Sequence, residues 1–189
     1  MKLTVVTTNA GKVREIAEFF GDAIEVSQVS LDIPEERSVD VSKIAEGKAR
    51  FAFGALRVPV LVDDTGFSVD ALNGFPGPYA AFVLHTIGNQ GILKLMEGVE
   101  ERGARFTTAI AYADEKGVLV FSGTIEGTIV RKPRGTGGFG YDPIFQYGEL
   151  TLAELPLAEK SRVSHRAQAL AQFRDWFFRE RMPGRNANR

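Results

Sequence analysis

Apolar residues along the chain switch between two periods, and each change of period marks an element. Residues 2–6 (Lys2-Leu3-Thr4-Val5-Val6) read as a strand. Val13, Ile16, Ala17 and Phe20 then follow at the i, i+3, i+4, i+7 spacing of one helix face. Residues 25–29 predict a second strand. Leu31-Asp32-Ile33-Pro34-Glu35-Glu36 predicts a loop, because the residue before proline avoids helical angles. Over 41–56, Val41, Ile44, Ala45, Ala49, Ala52, Phe53 and Leu56 share one side of a helix, and Lys48 shares it with them. The run Val58-Pro59-Val60-Leu61-Val62 has no polar alternation and predicts a strand buried on both faces, at the centre of a parallel or mixed sheet.

Beyond it, Asn73-Gly74-Phe75-Pro76-Gly77-Pro78-Tyr79 predicts a turn-rich loop, followed by helical pieces at about 79–87 and 90–96. His85, among the apolar residues of the first piece, reads as a packed side chain. Residues 105–113 and 118–130 carry the β-branched and aromatic residues of strands, with Asp114-Glu115-Lys116-Gly117 as a hairpin turn. A final helix starts at Ser161 or Ser164, packs through Leu170, Phe173, Phe177 and Phe178, and runs to Arg181. The βα opening followed by an antiparallel block predicts an α/β fold: a mixed β-sheet flanked by helices, with two lobes and a central cleft. Residues 1–181 read as one domain and 182–189 as a disordered tail.

Composition narrows the chemistry. The 189 residues carry 23 basic and 24 acidic side chains, a net charge of -1, which argues against nonspecific nucleic-acid binding and favours a small ligand met by a few local cations. The absence of cysteine excludes disulfides, thiolate metal sites and a cysteine nucleophile, and two histidines cannot build an all-histidine metal centre. Carboxylates remain, and they suit Mg²⁺ or Mn²⁺. No apolar run reaches the roughly 20 residues of a membrane span, and the opening strand does not read as a secretion signal, so the expected location is cytoplasmic.

Four stretches carry candidate chemistry. Asp63 and Asp64 stand directly at the end of the apolar run, where open α/β sheets hold ligands. Alternation along a strand sends only one of them to the site, and Asp-Thr-Gly is equally good turn chemistry. Thr7-Thr8-Asn9-Ala10-Gly11-Lys12 lies between a strand and a helix, where backbone N–H groups and a lysine meet phosphate, or where Asn9 merely caps the helix. It is not a P-loop, which needs Gly in place of Val6 and Ser or Thr in place of Val13. Lys48 either points into a charged cleft or runs along the surface to water.

Gly135-Thr136-Gly137-Gly138-Phe139-Gly140-Tyr141-Asp142-Pro143 matches G-x-G-x-x-G, but Pro143 and Ile144-Phe145 predict an extended continuation rather than the helix a dinucleotide site needs. Such a glycine loop can close over a flat ring, or it can be a hairpin connection with its aromatics in the core. Lys160, Ser164, His165 and Arg166 gather at a helix start, where polar donors make an anion or nucleobase-edge site.

Five of these motifs, in this order, resemble the inosine triphosphate pyrophosphatase family, whose members hydrolyse non-standard purine nucleoside triphosphates: Thr7 to Lys12, Val62-Asp63-Asp64-Thr65-Gly66, Gly74 to Tyr79, Gly135 to Pro143, and Glu159-Lys160-Ser161-Arg162-Val163-Ser164-His165-Arg166. The likeness spans Lys2 to Phe178. It implies conversion of ITP, dITP and XTP to the monophosphate and pyrophosphate by a cytoplasmic homodimer using Mg²⁺, with Mn²⁺ as the alternative. It implies phosphate contacts from Thr7, Thr8, Asn9, Ala10, Gly11 and Lys12, metal ligation by Glu35 and Asp64, and Asp64 as general base. Lys12 and Lys48 would stabilise the leaving group, and Thr65, Phe139, Gly140, Tyr141, Asp142, Lys160, His165 and Arg166 would complete the substrate set. Asp63, Thr65 and Phe67 stand where relatives often carry Glu, Ser and Leu. Two other readings compete: a pyrophosphatase for modified or pyrimidine nucleotides, and a nucleotide sensor without turnover, against which Glu35 and Asp64 argue.

Overall fold

The computed structural model describes residues 2–34 and 37–181, and in it the apolar run at Val60 becomes the backbone of the molecule. Strand β1 (Lys2–Val6) lies between β2 (Glu25–Val29) and β3 (Val60–Val69), parallel to both. Helix α1 (Ala10–Phe20) links β1 to β2, and α2 (Val41–Leu56) leads into β3. The short β4 (Pro76–Gly77) folds back on β3, and α3 (Ala80–Thr86) and α4 (Gly88–Leu95) follow. The hairpin of β5 (Gly103–Asp114) and β6 (Gly117–Ile129) turns at Glu115 and Lys116, as the sequence predicts. Strands β7 (Phe145–Tyr147) and β8 (Leu150–Thr151) complete an eight-stranded mixed sheet in the order β2-β1-β3-β5-β6-β7-β8, with β4 on the β1 side of β3.

Local chemistry sets the helix ends. The Asn9 side chain caps α1 by accepting hydrogen bonds from the Gly11 and Lys12 amides at 2.8 and 3.3 Å. Asp40 caps α2 in the same way, accepting from Ser42 N at 2.8 Å. The last helix, α6 (His165–Arg181), begins just after Ser164, the second of the two expected starts, because Ser164 takes extended angles (φ −69°, ψ 160°) and its hydroxyl accepts from Ala167 N; a separate short helix, α5 (Leu157–Val163), precedes it. The buried stripe of α1 is rotated from the expected one. It is Gly11, Glu15, Ile16 and Phe20, while Ala17 faces solvent.

Helices cover both faces of the sheet. On one face α1 and α6 pack Ile16, Phe20, Leu170, Phe173 and Phe177 against Leu3, Val5, Leu61 and Ile110. On the other, the alanines of α2 (Ala45, Ala49, Ala52) meet Ala109, Ala111 and Ala113 of β5, and these small residues on both sides allow close approach. The far end of the sheet holds a third cluster, in which Phe67, Phe106 and Phe145 pack with Ile92 and Met96. Gly123 of β6 brings α6 close to the sheet: a Cβ there would lie 2.2 Å from the His165 carbonyl oxygen.

Candidate active site

The acid pair does not follow a strand end. Asp63 and Asp64 lie inside β3, which stays paired to β5 from Val60↔Ala113 to Val69↔Ala104. What ends is the neighbour on the other side. β1 pairs with β3 only as far as Val6↔Val62, and β4 resumes at Phe67 and Ser68. Residues 63–66 therefore form an open edge between two partners, and a cleft of about 850 Å³ opens there. Both residues border the cleft, but their side chains leave the strand on opposite sides: the Asp64 carboxylate stays partly open to it, whereas the Asp63 side chain is closed off behind Lys12 and Arg166, as alternation along a strand predicts.

Each acid has its own cations. Lys12 from α1 places Nζ 2.6 Å from Asp63 Oδ1 and 2.8 Å from the Asp63 carbonyl oxygen. Arg166 donates from Nε to Asp63 Oδ2 at 2.6 Å. Burial pushes the Asp63 carboxyl up, but the Arg166 and Lys12 charges more than cancel that and hold it well below the usual carboxylate range. On the other side, Lys48 from α2 donates to Asp64 Oδ1 at 2.7 Å, so its side chain points into the cleft rather than along the surface. Burial wins at Asp64: its carboxyl is raised despite Lys12 and Lys48. The two neighbouring acids therefore differ, one locked as a carboxylate and the other more ready to take a proton.

Thr7, Thr8, Asn9, Ala10, Gly11, Lys12, Lys48, Asp64, Thr65 and Phe139 all line this cleft. Two further candidates, Lys160 and Arg166, lie behind the Phe139 ring. Lys160 Nζ sits 4.7 Å from its centroid and the Arg166 guanidinium 5.6 Å. Phe139 also rests on Gly11, where a Cβ would come within 2.7 Å of the ring. Lys160, Arg166, His165 and Asp142 are buried. Lys160 reaches Asp142 Oδ2, and that same oxygen accepts from Phe139 N at 2.6 Å, fixing the turn that carries the ring. Burial raises the Asp142 carboxyl, with Lys160 opposing the shift.

The Gly140 carbonyl accepts from Asn89 at 3.0 Å. Tyr141 is part of the core. It donates to the Ala80 carbonyl at 2.8 Å and stacks on Phe67 with centroids 4.3 Å apart, so its position supports the loop rather than opening on the cleft. Glu35 lies outside the described residues.

Three groups escaped the sequence reading. Glu15, buried on α1, lies 2.5 Å from both Lys160 Nζ and Arg166 Nη1 and so joins the two cations behind Phe139. Its signal was a glutamate one turn from Gly11 on the helix face that also carries Ile16. Thr108 of β5, fully buried, stands between His165 and Thr65; only the pairing of β5 with β3 could reveal it. His85, expected to be packed, is exposed and lines the cleft beside Tyr79, because α3 turns its other face to the core through Ala80 and Val83.

Similarity to known proteins agrees with this geometry. The chain is 48% identical over 180 residues to a protein of Methanosarcina acetivorans named dITP/XTP pyrophosphatase, covering 93% of this chain and 97% of that one. It is 46% identical to the protein of that name from Methanopyrus kandleri, covering 94% and 96% of the two chains. A solved HAM1 protein structure from Coxiella burnetii superposes with a TM-score of 0.82 at 32% identity, covering 95% of this chain and 99% of that one. The model of the Ham1 family matches residues 3–176, and the chain belongs to that family.

Proposed function

We propose that this protein hydrolyses non-standard purine nucleoside triphosphates (dITP, XTP and ITP) to the nucleoside monophosphate and pyrophosphate. The observation that carries the reading is the pair of lysine–aspartate contacts, Lys12 with Asp63 and Lys48 with Asp64, on the open edge of β3 beside the Thr7–Lys12 turn. Two ammonium groups and a helix N-terminus suit a triphosphate. A buried carboxylate with a raised proton affinity suits a general base.

In the reaction, a water oxygen bonds to the α-phosphorus, its proton passes to Asp64, and the bridge to the β-phosphate breaks. Lys12 and Lys48 stabilise the charge that collects on the departing pyrophosphate. Asp63, already paired twice, holds Lys12 and Arg166 in place.

A divalent metal fits the donor set. Among the described residues no cluster of three or more His, Cys, Asp or Glu forms a complete cage, but the cleft carries the Asp64 and Asp32 carboxylates and no competing soft donor. That matches Mg²⁺, which uses one or two carboxylates, substrate phosphates and water. Asp64 would hold it, with Glu35 as the expected second ligand and Mn²⁺ as an alternative ion. When bound, the ion neutralises phosphate oxygens.

The base lies toward Phe139. Behind the ring stand Lys160 and Arg166, with Asp142 on Lys160 and His165 next to Arg166 in the chain, and a lysine donor there bonds a 6-oxo group but meets a donor on the amino group of adenine. Our reading includes two lobes meeting at the cleft, a division supported by the separation of the Phe67 and Leu61 clusters. It also includes a cytoplasmic homodimer. No described helix is long and apolar enough to cross a membrane.

A coupled pyrophosphate assay over the common and deaminated triphosphates tests the proposal. Release from dITP, XTP and ITP, lost in Asp64→Asn with the fold intact, is the expected result. A preference for pyrimidine or other modified nucleotides would redirect it to a related pyrophosphatase, and binding without turnover would overturn it.

A further inference from the structure

A line of side chains runs from Asp63 through Thr65 and Thr108 to His165, with Arg166 alongside. Thr65 Oγ1 stands 3.2 Å from Asp63 Oδ1, 3.1 Å from Arg166 Nη2 and 2.7 Å from Thr108 Oγ1. Thr108 Oγ1 stands 2.6 Å from His165 Nδ1. A hydroxyl has one proton to give and two lone pairs to accept with, so the direction of one bond constrains the next.

Asp63 accepts from Lys12 and Arg166 and has no proton to offer. Arg166 can only donate. If Thr65 turned its proton toward Thr108, its contact with the Asp63 carboxylate would bring two oxygens within 3.2 Å with no hydrogen between them. If Thr65 donates to Asp63, it accepts from Arg166 and from Thr108, and every contact holds one hydrogen. Thr108 has then spent its proton on Thr65. At 2.6 Å from His165 Nδ1 it can only accept, so the proton sits on Nδ1.

We propose that Thr108 is a positioning residue: it passes the polarity of Asp63 through Thr65 to His165 and fixes that ring as the Nδ1–H tautomer. Burial, with the Arg166 charge beside the ring, keeps the imidazole neutral, so Nε2 is left as a bare acceptor. Stacking on Phe106, centroids 4.7 Å apart and planes 19° from parallel, holds the ring in the orientation that presents Nδ1 to Thr108. His165, next to Arg166 in the chain, thereby carries an acceptor at Nε2 where the other tautomer would place a donor, and this order is set from Asp63. In chemical terms, an acceptor suits the N1–H of a 6-oxopurine and repels the lone pair at N1 of adenine. That last consequence rests on the proposed function; the tautomer does not.

The first test is therefore independent of activity. In wild-type protein labelled with nitrogen-15 at histidine, His165 is told from His85 by loss of the latter's signals in His85→Gln. His165 should show a protonated Nδ1 and an unprotonated Nε2, and a proton on Nε2 alone would overturn the proposal. Thr108→Val keeps the branched shape and removes the hydroxyl. It should shift His165 toward the Nε2–H form and lower kcat/KM for dITP by about tenfold, the worth of one hydrogen bond of this kind, while Thr108→Ser restores both. A Thr108→Val ring that keeps Nδ1–H would also overturn the proposal. A wild-type protein that shows the expected tautomer but releases no pyrophosphate would instead count against the proposed function alone.

Discussion

Glu15 and Arg166 are 151 positions apart in sequence and 2.5 Å apart in space. Through this contact and its partner at Lys160, the first helix of the chain is fastened to the last two beneath the cleft. The arrangement is costly to break, because removing one member leaves buried charge without its counterpart. Glu15→Ala should lower stability by about 3 kcal/mol. For a chain of this size that is a fall in Tm of roughly 6–12 °C. Thermal denaturation followed by circular dichroism would measure it.

Asp64 must be ionised to accept a proton from water. Burial raises its carboxyl above the ordinary value of 3.8, so the acid limb of the kcat profile should lie above that value and rate should fall as pH drops through it. Lys48 opposes this shift through its 2.7 Å contact. Lys48→Met should move the limb to still higher pH as well as lowering kcat, and a pH–rate series on both proteins checks the sign.

His165 gives stability a second pH dependence. Its proton affinity is lowered inside the fold, chiefly by burial, while the unfolded chain keeps an imidazole near the ordinary 6.5. Below that value the unfolded state binds the extra proton, so the contribution is complete above 6.5 and declines as pH falls. Asp63, held below its ordinary range, adds a further contribution that persists above 3.8 and is lost lower down. Urea midpoints should drop between about pH 7 and pH 5, and the slope should flatten in His165→Gln.

Phe139 lies over Lys160 and Arg166 at the wall of the cleft. If a purine stacks on this ring, Phe139→Ala loses about 1–3 kcal/mol of binding, the usual worth of one base on one aromatic. KM for dITP should rise roughly five- to a hundredfold with less change in kcat. Steady-state kinetics would separate the two parameters.

Much of this was legible in the sequence because the governing signals are local. Residues 41–56 announce α2 by spacing, and 114–117 announce the hairpin turn. Lys12 stood out beside a strand–loop–helix boundary and the acid pair at the close of an apolar run, whereas Lys48, mid-helix, left two directions open. What was not legible depends on neighbours distant in sequence. Nothing near Asp64 says that β1 stops pairing at Val62 and β4 resumes at Phe67, which is what opens the edge. Glu15 read as one more charge on a helix, since its partners lie on α5 and α6. Whether Tyr141 faced a base or the core was left open by its loop, and the packing of α3, which draws its hydroxyl to the Ala80 carbonyl, decides for the core.

The central claim is that water, activated at Asp64, attacks the α-phosphorus of a deaminated purine triphosphate. Hydrolysis of dITP in heavy-oxygen water, read by mass spectrometry, tests this most directly. One heavy oxygen in the monophosphate and none in the pyrophosphate is the predicted result. Label in the pyrophosphate, or release of orthophosphate in its place, would contradict it.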